Sequence, residues 1–267
     1  VRVAVITIAA GRPRHLERQS AALARLASEH DGHHVVAMGD EAQRARCAAA
    51  CAPGTDVIAV AREPEGLPLA RARNAGARRA LEAGAELLVF LDVDCLPAPE
   101  LLTRYRAAAG AAPGALLCGP VGYLPPVAAE ATPTDAELAA LARPHPARPV
   151  PPDDTLWHGG DHRLFWTLSF AVTDTVWNAV GGFCEDYVGY GGEDTDLGQL
   201  ARAAGVGLCW VGGAWAYHQH HPTHDPPVQH RDAIERNAAL FHRRWGWWPM
   251  EGWLAAFAAG GPGGRAT

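Results

Sequence analysis

Apolar runs of strand length alternate with Ala-rich helical stretches through the first hundred residues, and this alternation restricts the fold more than any other property of the chain. Residues 3–8 form a short β-branched run that ends at Gly11-Arg12-Pro13, a turn into a helix beginning near Pro13. A second run covers 33–38, a helical stretch 41–51, and a third run 56–60. Residues 69–83 carry helical periodicity and stop at Gly84, before a fourth run at 86–91. Such alternation implies an α/β fold with a mainly parallel central sheet flanked by helices on both faces, and ligands gather beyond the carboxyl ends of its strands. Asp92-Val93-Asp94 falls at such an end.

The pattern changes over 120–152, which is rich in Pro and Ala with one helix expected over 134–141. It reads as an excursion from the domain and not as an interdomain linker. Strands are expected again at 167–172, 207–210 and 215–217, and helices at 193–204 and 231–244. The aromatic, apolar tail at 245–259 is expected to dock on the body of the protein, peripheral contact with a membrane surface being the alternative. A chain of 267 residues can bury its own core, and one domain is expected. Its 48% hydrophobic and 19% charged residues exclude a disordered chain. The net charge of −6 offers nothing to nucleic acid, although every basic residue is Arg. No apolar window is long enough to span a membrane and no signal-peptide pattern opens the sequence, so a cytoplasmic location is expected. The six cysteines show no CxxC spacing, and Cys47 and Cys51, one helical turn apart, read as packing residues.

Three clusters carry chemistry. Asp92 and Asp94 follow a buried apolar run, where two like charges repel unless a divalent cation relieves them; Mg²⁺ and Mn²⁺ take such oxygen ligands together with substrate phosphates. The second cluster runs from Gly181 to Leu197. Gly189, Gly191 and Gly192 permit close backbone approach, Tyr190 offers a stacking face, and Glu193, Asp194 and Asp196 exceed what helix capping needs. One of these acids is placed to act as general base toward a hydroxyl. The third is Tyr217-His218-Gln219-His220-His221, where imidazole could join a first-row cation; HExxH spacing and nearby Cys ligands are missing, which disfavours dedicated zinc. Arg12, Arg71, Arg73 and Asn74 lie in loops or helix starts on the ligand side, where guanidinium could clamp a diphosphate.

In this order the clusters resemble family-2 glycosyltransferases of the GT-A fold, those whose C-terminal half is similar to β-1,4-galactosyltransferases and polypeptide GalNAc-transferases. The likeness covers most of 3–221 and is strongest at 72–77 before 90–94, at 165–172 and at 181–197. It implies a single Rossmann-like GT-A domain that moves a sugar, of galactose, GalNAc or GlcNAc type, from a UDP-sugar to a hydroxyl on a saccharide, small molecule or peptide. It implies Mn²⁺ or Mg²⁺ held by Asp94, with Asp92, and by His218, with His220 second. Asp194 becomes the catalytic base, with Glu193, Asp196, Trp166, Tyr190, Gly191 and Gly192 at the sugars. Thr7, Ala9, Arg12, Asp40, Arg71, Arg73 and Val93 are expected at the nucleotide. Tyr190 replaces the Trp of the galactosyltransferases, so their donor and acceptor do not carry over, and Gly191-Gly192-Glu193-Asp194 favours inversion over retention. Two other readings stand beside this one. A sugar nucleotidylyltransferase needs a Gly-rich, basic loop that Ala9-Ala10-Gly11-Arg12-Pro13 lacks, and a silent saccharide-binding module would not need the acids at 92, 94, 193 and 194.

Overall fold

The computed structural model describes residues 1–126, 133–260 and 265–266, the last pair as backbone only; part of the expected excursion, 127–132, lies outside the described residues. The N-terminal half runs β1 (Val3–Ala9), α1 (Pro13–Arg25), β2 (Gly32–Met38), α2 (Glu41–Ala49), β3 (Asp56–Val60), α3 (Leu69–Glu82) and β4 (Leu87–Leu91). After it come β5 (Cys95–Pro97), α4 (Leu101–Ala111), β6 (Ala115–Cys118), β7 (Val121–Tyr123), α5 (Asp135–Leu141), β8 (Arg143–Pro144) and β9 (Leu156–His158). The chain closes with β10 (Ser169–Thr173), α6 (Asp174–Val180), α7 (Glu193–Ala203), β11 (Gly207–Val211), β12 (Ala216–His218), α8 (Arg231–Trp245) and α9 (Glu251–Ala258). No helix among the described residues is long and apolar enough to cross a membrane.

The main sheet has the order β3-β2-β1-β4-β10-β6-β11-β9. Strands β1 to β4 pair in parallel, as the alternation required, and β6 pairs in parallel with β11. Between these two parallel blocks β10 is inserted antiparallel to both β4 and β6. Side chains alternate through the sheet. Ile6, Leu88, Phe90 and Phe170 pack under α3, α6 and α7, while Val5, Val89, Leu91 and Leu117 pack under α1 and α4. Helix α3 comes very close: a Cβ on Gly76 would stand 2.5 Å from the Ile6 side chain. The expected tail is helix α9, docked through the buried Phe257. Cys47 is a buried packing residue, and all six thiols are free.

A second, small sheet of order β5-β12-β7-β8 begins just past Asp94. In its register His218 faces Cys95 on one side and Tyr123 on the other. This pairing brings a histidine from far along the chain, His218, next to the end of β4 at Leu91.

His33 in β2 is buried, with Nε2 3.3 Å from the Thr7 hydroxyl. Burial, then the neighbouring His30 and His34, lowers its pKa to about 3 from 6.5. The unfolded chain takes up a proton at this position below pH 6.5 and the folded chain does not, so stability falls as pH drops through that window. At pH 4 the loss amounts to about 3 kcal/mol. Urea unfolding at pH 7 and pH 4 should show this drop, and His33→Gln should remove that share of it.

Candidate active site

The turn Asp92-Val93-Asp94 joins the two sheets, and two glutamines fix its shape. Gln19 of α1 is fully buried and donates Nε2 to the carbonyls of Asp92 at 2.7 Å and Cys95 at 2.8 Å, while its Oε1 accepts from the Thr7 hydroxyl at 2.9 Å. The Gln219 N–H donates to the Asp94 carbonyl at 2.6 Å, tying the turn to the segment after β12. Thr7 and Ala9, expected at the nucleoside, are fully buried, and Thr7 is engaged by Gln19 and His33. Their place is beneath the site, supporting the turn. Val93 likewise packs in a core with Ala9, Leu16, Val35 and Cys47.

Asp94 is the centre of a convergent set. His218 Nε2 lies 3.6 Å and His221 Nε2 3.5 Å from its Oδ2, and Arg12 makes an ion pair with the same oxygen. One ligand atom from each of Asp94, His218 and His221 lies within 4.8 Å of the others, enough for a metal ion to touch all three. Burial opposes the Asp94 charge, but His221, His218 and Arg12 hold its carboxyl well below the usual range. Burial also lowers the pKa of His218, leaving a neutral imidazole free to ligate. His220, the expected second histidine, is not part of this set. The backbone after β12 is irregular, and it turns His220 toward a separate cavity of about 220 Å³ beside Leu96 and Leu138. Arg12 itself adopts a left-handed backbone, φ 54°, at the start of α1.

Arg73 links this turn to the acidic segment. Its guanidinium is buried and donates Nη2 to Asp92 at 2.9 Å and Nη1 to Glu193 at 3.1 Å. Burial works against its charge, yet the two carboxylates raise its pKa above that of ordinary arginine. It therefore acts inside the wall of the site, not as a free phosphate clamp. Arg71 pairs with Glu63 at 2.9 Å and donates to the Ala61 carbonyl, and Asp40 caps α2 by accepting from Gln43 N–H. Asn74 clamps the loop after α6, exchanging two 2.9 Å bonds with the Phe183 backbone.

Gly191 and Gly192 take φ 94° and 92°, which delivers Glu193 and Asp194 to the first turn of α7. The two acids have different surroundings. Glu193 is buried against Arg73; burial first, then the neighbouring Asp194, raises its pKa to about 7. Asp194 is partly buried, less so than Glu193, and its Oδ1 accepts from the Thr195 N–H at 2.6 Å and the Thr195 hydroxyl at 3.2 Å. Burial raises its pKa too, and burial first, then the charges of Asp94 and Asp194, raises that of Asp92 against the pull of Arg73. Asp196, expected at a sugar, has no exposed surface: Tyr187, Arg244 and Trp245 all donate to it. It anchors α7 to α8. Tyr190 is 42% exposed, and one face of its ring stacks on His230 at 4.9 Å. Trp166 is half-buried with His145 edge-on to its ring.

Sequence reasoning missed Gln19 and Asn237, and a signal was present for both. Gln19 occupies the buried stripe of Leu16, Ser20 and Leu23, and Asn237 that of Ile234, Ala238 and Phe241. A polar residue at a core position implies an unpaired backbone to satisfy. Asn237 donates to the Gly191 carbonyl at 2.9 Å and to those of Val188 and Tyr190, holding the glycine loop.

Residues 161–224 match the family described as the N-terminal domain of galactosyltransferase. Validoxylamine A glucosyltransferase of Streptomyces hygroscopicus subsp. jinggangensis is 31% identical over 202 residues, covering 63% of this chain and 43% of its own length. The protein of the same name from subsp. limoneus is also 31% identical, with 40% of its length covered. The chain thus spans about two fifths of these relatives. Among solved structures, S. aureus TarS 1-349 superposes with a TM-score of 0.56 at 13% identity, covering 90% of this chain and 65% of that one. GalNAc-T7, crystallised with UDP, GalNAc and Mn²⁺, gives 0.59 at 14% identity, covering 83% and 44%.

Proposed function

We propose that this chain, which has the GT-A fold and is kin to glycosyltransferases, transfers a hexose from a UDP-sugar to an acceptor hydroxyl with inversion. The observation that carries the proposal is the gathering, beyond the carboxyl end of β4, of the Asp94, His218 and His221 ligand set with the Arg73-linked acids Asp92 and Glu193 and with Asp194.

Two imidazole nitrogens and one carboxylate oxygen suit Mn²⁺ better than Mg²⁺, which prefers oxygen throughout. When bound there, the cation supplies Lewis-acid stabilisation to a departing diphosphate. Asp94, His218 and His221 would hold the cation, and Arg12, beside them on Asp94, would offer its guanidinium to the phosphates. Asp194 accepts the proton of the acceptor hydroxyl as it attacks the anomeric carbon. Glu193, locked on Arg73, fixes the start of α7 so that Asp194 keeps its aim. Tyr190 and Trp166 supply flat faces for sugar rings.

The test is incubation with a panel of UDP-hexoses, glucose first because the relatives are glucosyltransferases, then galactose, GlcNAc and GalNAc. Slow UDP release dependent on Mn²⁺ is expected. Chelation with EDTA, or Asp94→Ala, should lower it by about 10³-fold, the loss of several kcal/mol of charge stabilisation. The absence of both turnover and Mn²⁺-dependent binding with every donor would overturn the reading.

A further inference from the structure

Arg148 lies in the Pro-rich segment between β8 and β9 and is only 8% exposed. Its guanidinium carbon stands 5.4 Å from the centroid of the Trp166 ring and 5.3 Å from that of Trp210. Nε, Nη1 and Nη2 are all buried, and none has a hydrogen-bond partner among the described residues. Two π-faces stabilise a cation, but they leave its N–H groups unanswered, and a buried charge without an oxygen partner is heavily penalised. Other arginines at the site are answered: Arg12 by Asp94, Arg73 by Asp92 and Glu193, Arg244 by Asp196. Arg148 presents a planar fork with nothing in it.

The location is on the ligand side of the sheet. Trp210 pairs with Cys118 at the carboxyl ends of the parallel strands β11 and β6. Trp166 precedes by two residues Leu168, whose carbonyl accepts the Asp92 N–H at 3.0 Å. Trp210 is buried and Trp166 half-buried, so the approach is past Trp166. The positive charge also reaches Tyr123, whose ring meets His218 at 4.9 Å.

We propose that Arg148 receives an oxyanion, a carboxylate or phosphate carried by the substrate, and that the ligand-free fold keeps the cation between Trp166 and Trp210 until that group arrives. This rests on the cleft being a nucleotide-sugar site. The anion has three sources: the diphosphate of the nucleotide, an acid group on the sugar, or one on the acceptor.

The experiment measures affinities of the Mn²⁺-loaded protein for UDP, UDP-glucose and UDP-glucuronate, and of the Mn²⁺–UDP-saturated protein for inorganic phosphate, in wild type, Arg148→Met and Arg148→Lys. Arg148→Met should weaken one of these by about 30-fold or more. UDP weakened equally with both sugars assigns the diphosphate; UDP-glucuronate weakened alone assigns the sugar; phosphate weakened alone assigns the acceptor. The ligand-free Met variant should also melt a few degrees higher, since an unanswered charge has been removed. Affinities within twofold of wild type for every probe overturn the proposal. Arg148→Lys keeps the charge without the fork and decides the matter if the Met variant does not fold. Wild-type protein that binds phosphate through Arg148 but no UDP would sink the nucleotide-sugar reading and retain this one.

Discussion

Asp194→Asn should lose transfer by about 10³-fold while binding UDP with Mn²⁺ as well as wild type does, because general-base assistance contributes on that scale. The substitution keeps the shape of the side chain and the Oδ1 that accepts from Thr195. It removes only the capacity to take up a proton. Asp194 is only partly buried at the start of α7, whereas Glu193 beside it is buried with one oxygen on Arg73. Glu193→Gln should therefore cost less. Burial raises the pKa of Asp194, so the wild-type rate should fall on acidification at a pH above the ordinary carboxylate range, and this acid limb should vanish from the residual rate of the Asn variant. A larger loss for Glu193→Gln than for Asp194→Asn would move the base to Glu193, and unchanged transfer by Asp194→Asn would remove the assignment.

Arg73→Met carries the largest expected effect on stability, a loss of about 3–5 kcal/mol at pH 8, the cost of removing one partner from a buried ionic cluster. The variant strands two carboxylates, Asp92 and Glu193, in a wall that Arg73 now neutralises. The sign of the pH dependence follows from their shifts. Both folded-state pKa values are raised by burial, Glu193 to about 7, and loss of the guanidinium raises them further. The unfolded acids ionise near 4.5 and below, so the folded variant holds extra protons and loses stability as pH rises above that value. Urea unfolding should show wild type and variant converging as pH is lowered from 8 to 5. Adding Glu193→Gln to Arg73→Met should restore part of the loss at pH 8. A deficit under about 1 kcal/mol at pH 8 would mean that the cluster is solvated and not held by Arg73.

The sequence made the parallel block legible because four apolar runs stand between well-marked helices, and the end of β4 could be placed to the residue by the change from Leu91 to Asp92. Helix α5 was expected over 134–141, and the structure starts it there with a capping box that the sequence reading did not use, Thr134 with Glu137. Strand β10 was expected, but its antiparallel insertion between β4 and β6 was not, since strand direction depends on pairing that no local pattern encodes. The Asp94, His218 and His221 cluster was half legible. His218 could be picked out by its place after a strand, but the choice between His220 and His221 is made by irregular backbone with no period to count. Arg73 and Asp196 were noticed as charges and misread as ligand contacts, because a sequence does not show which charges are already paired within the wall.

The insertion of β10 also orders events during synthesis. Strands β1 to β4 can pair once residue 91 has left the ribosome, but β4 then presents Leu87–Leu91 as an open apolar edge. The strand that covers it arrives roughly 80 residues later, about 4–16 s at ordinary elongation rates. During that interval the nascent chain has a completed half-sheet whose next neighbour does not yet exist. Chaperone capture of nascent chains should peak at lengths between these two strands, and a protein cut off before residue 169 should aggregate through the edge that β10 normally closes.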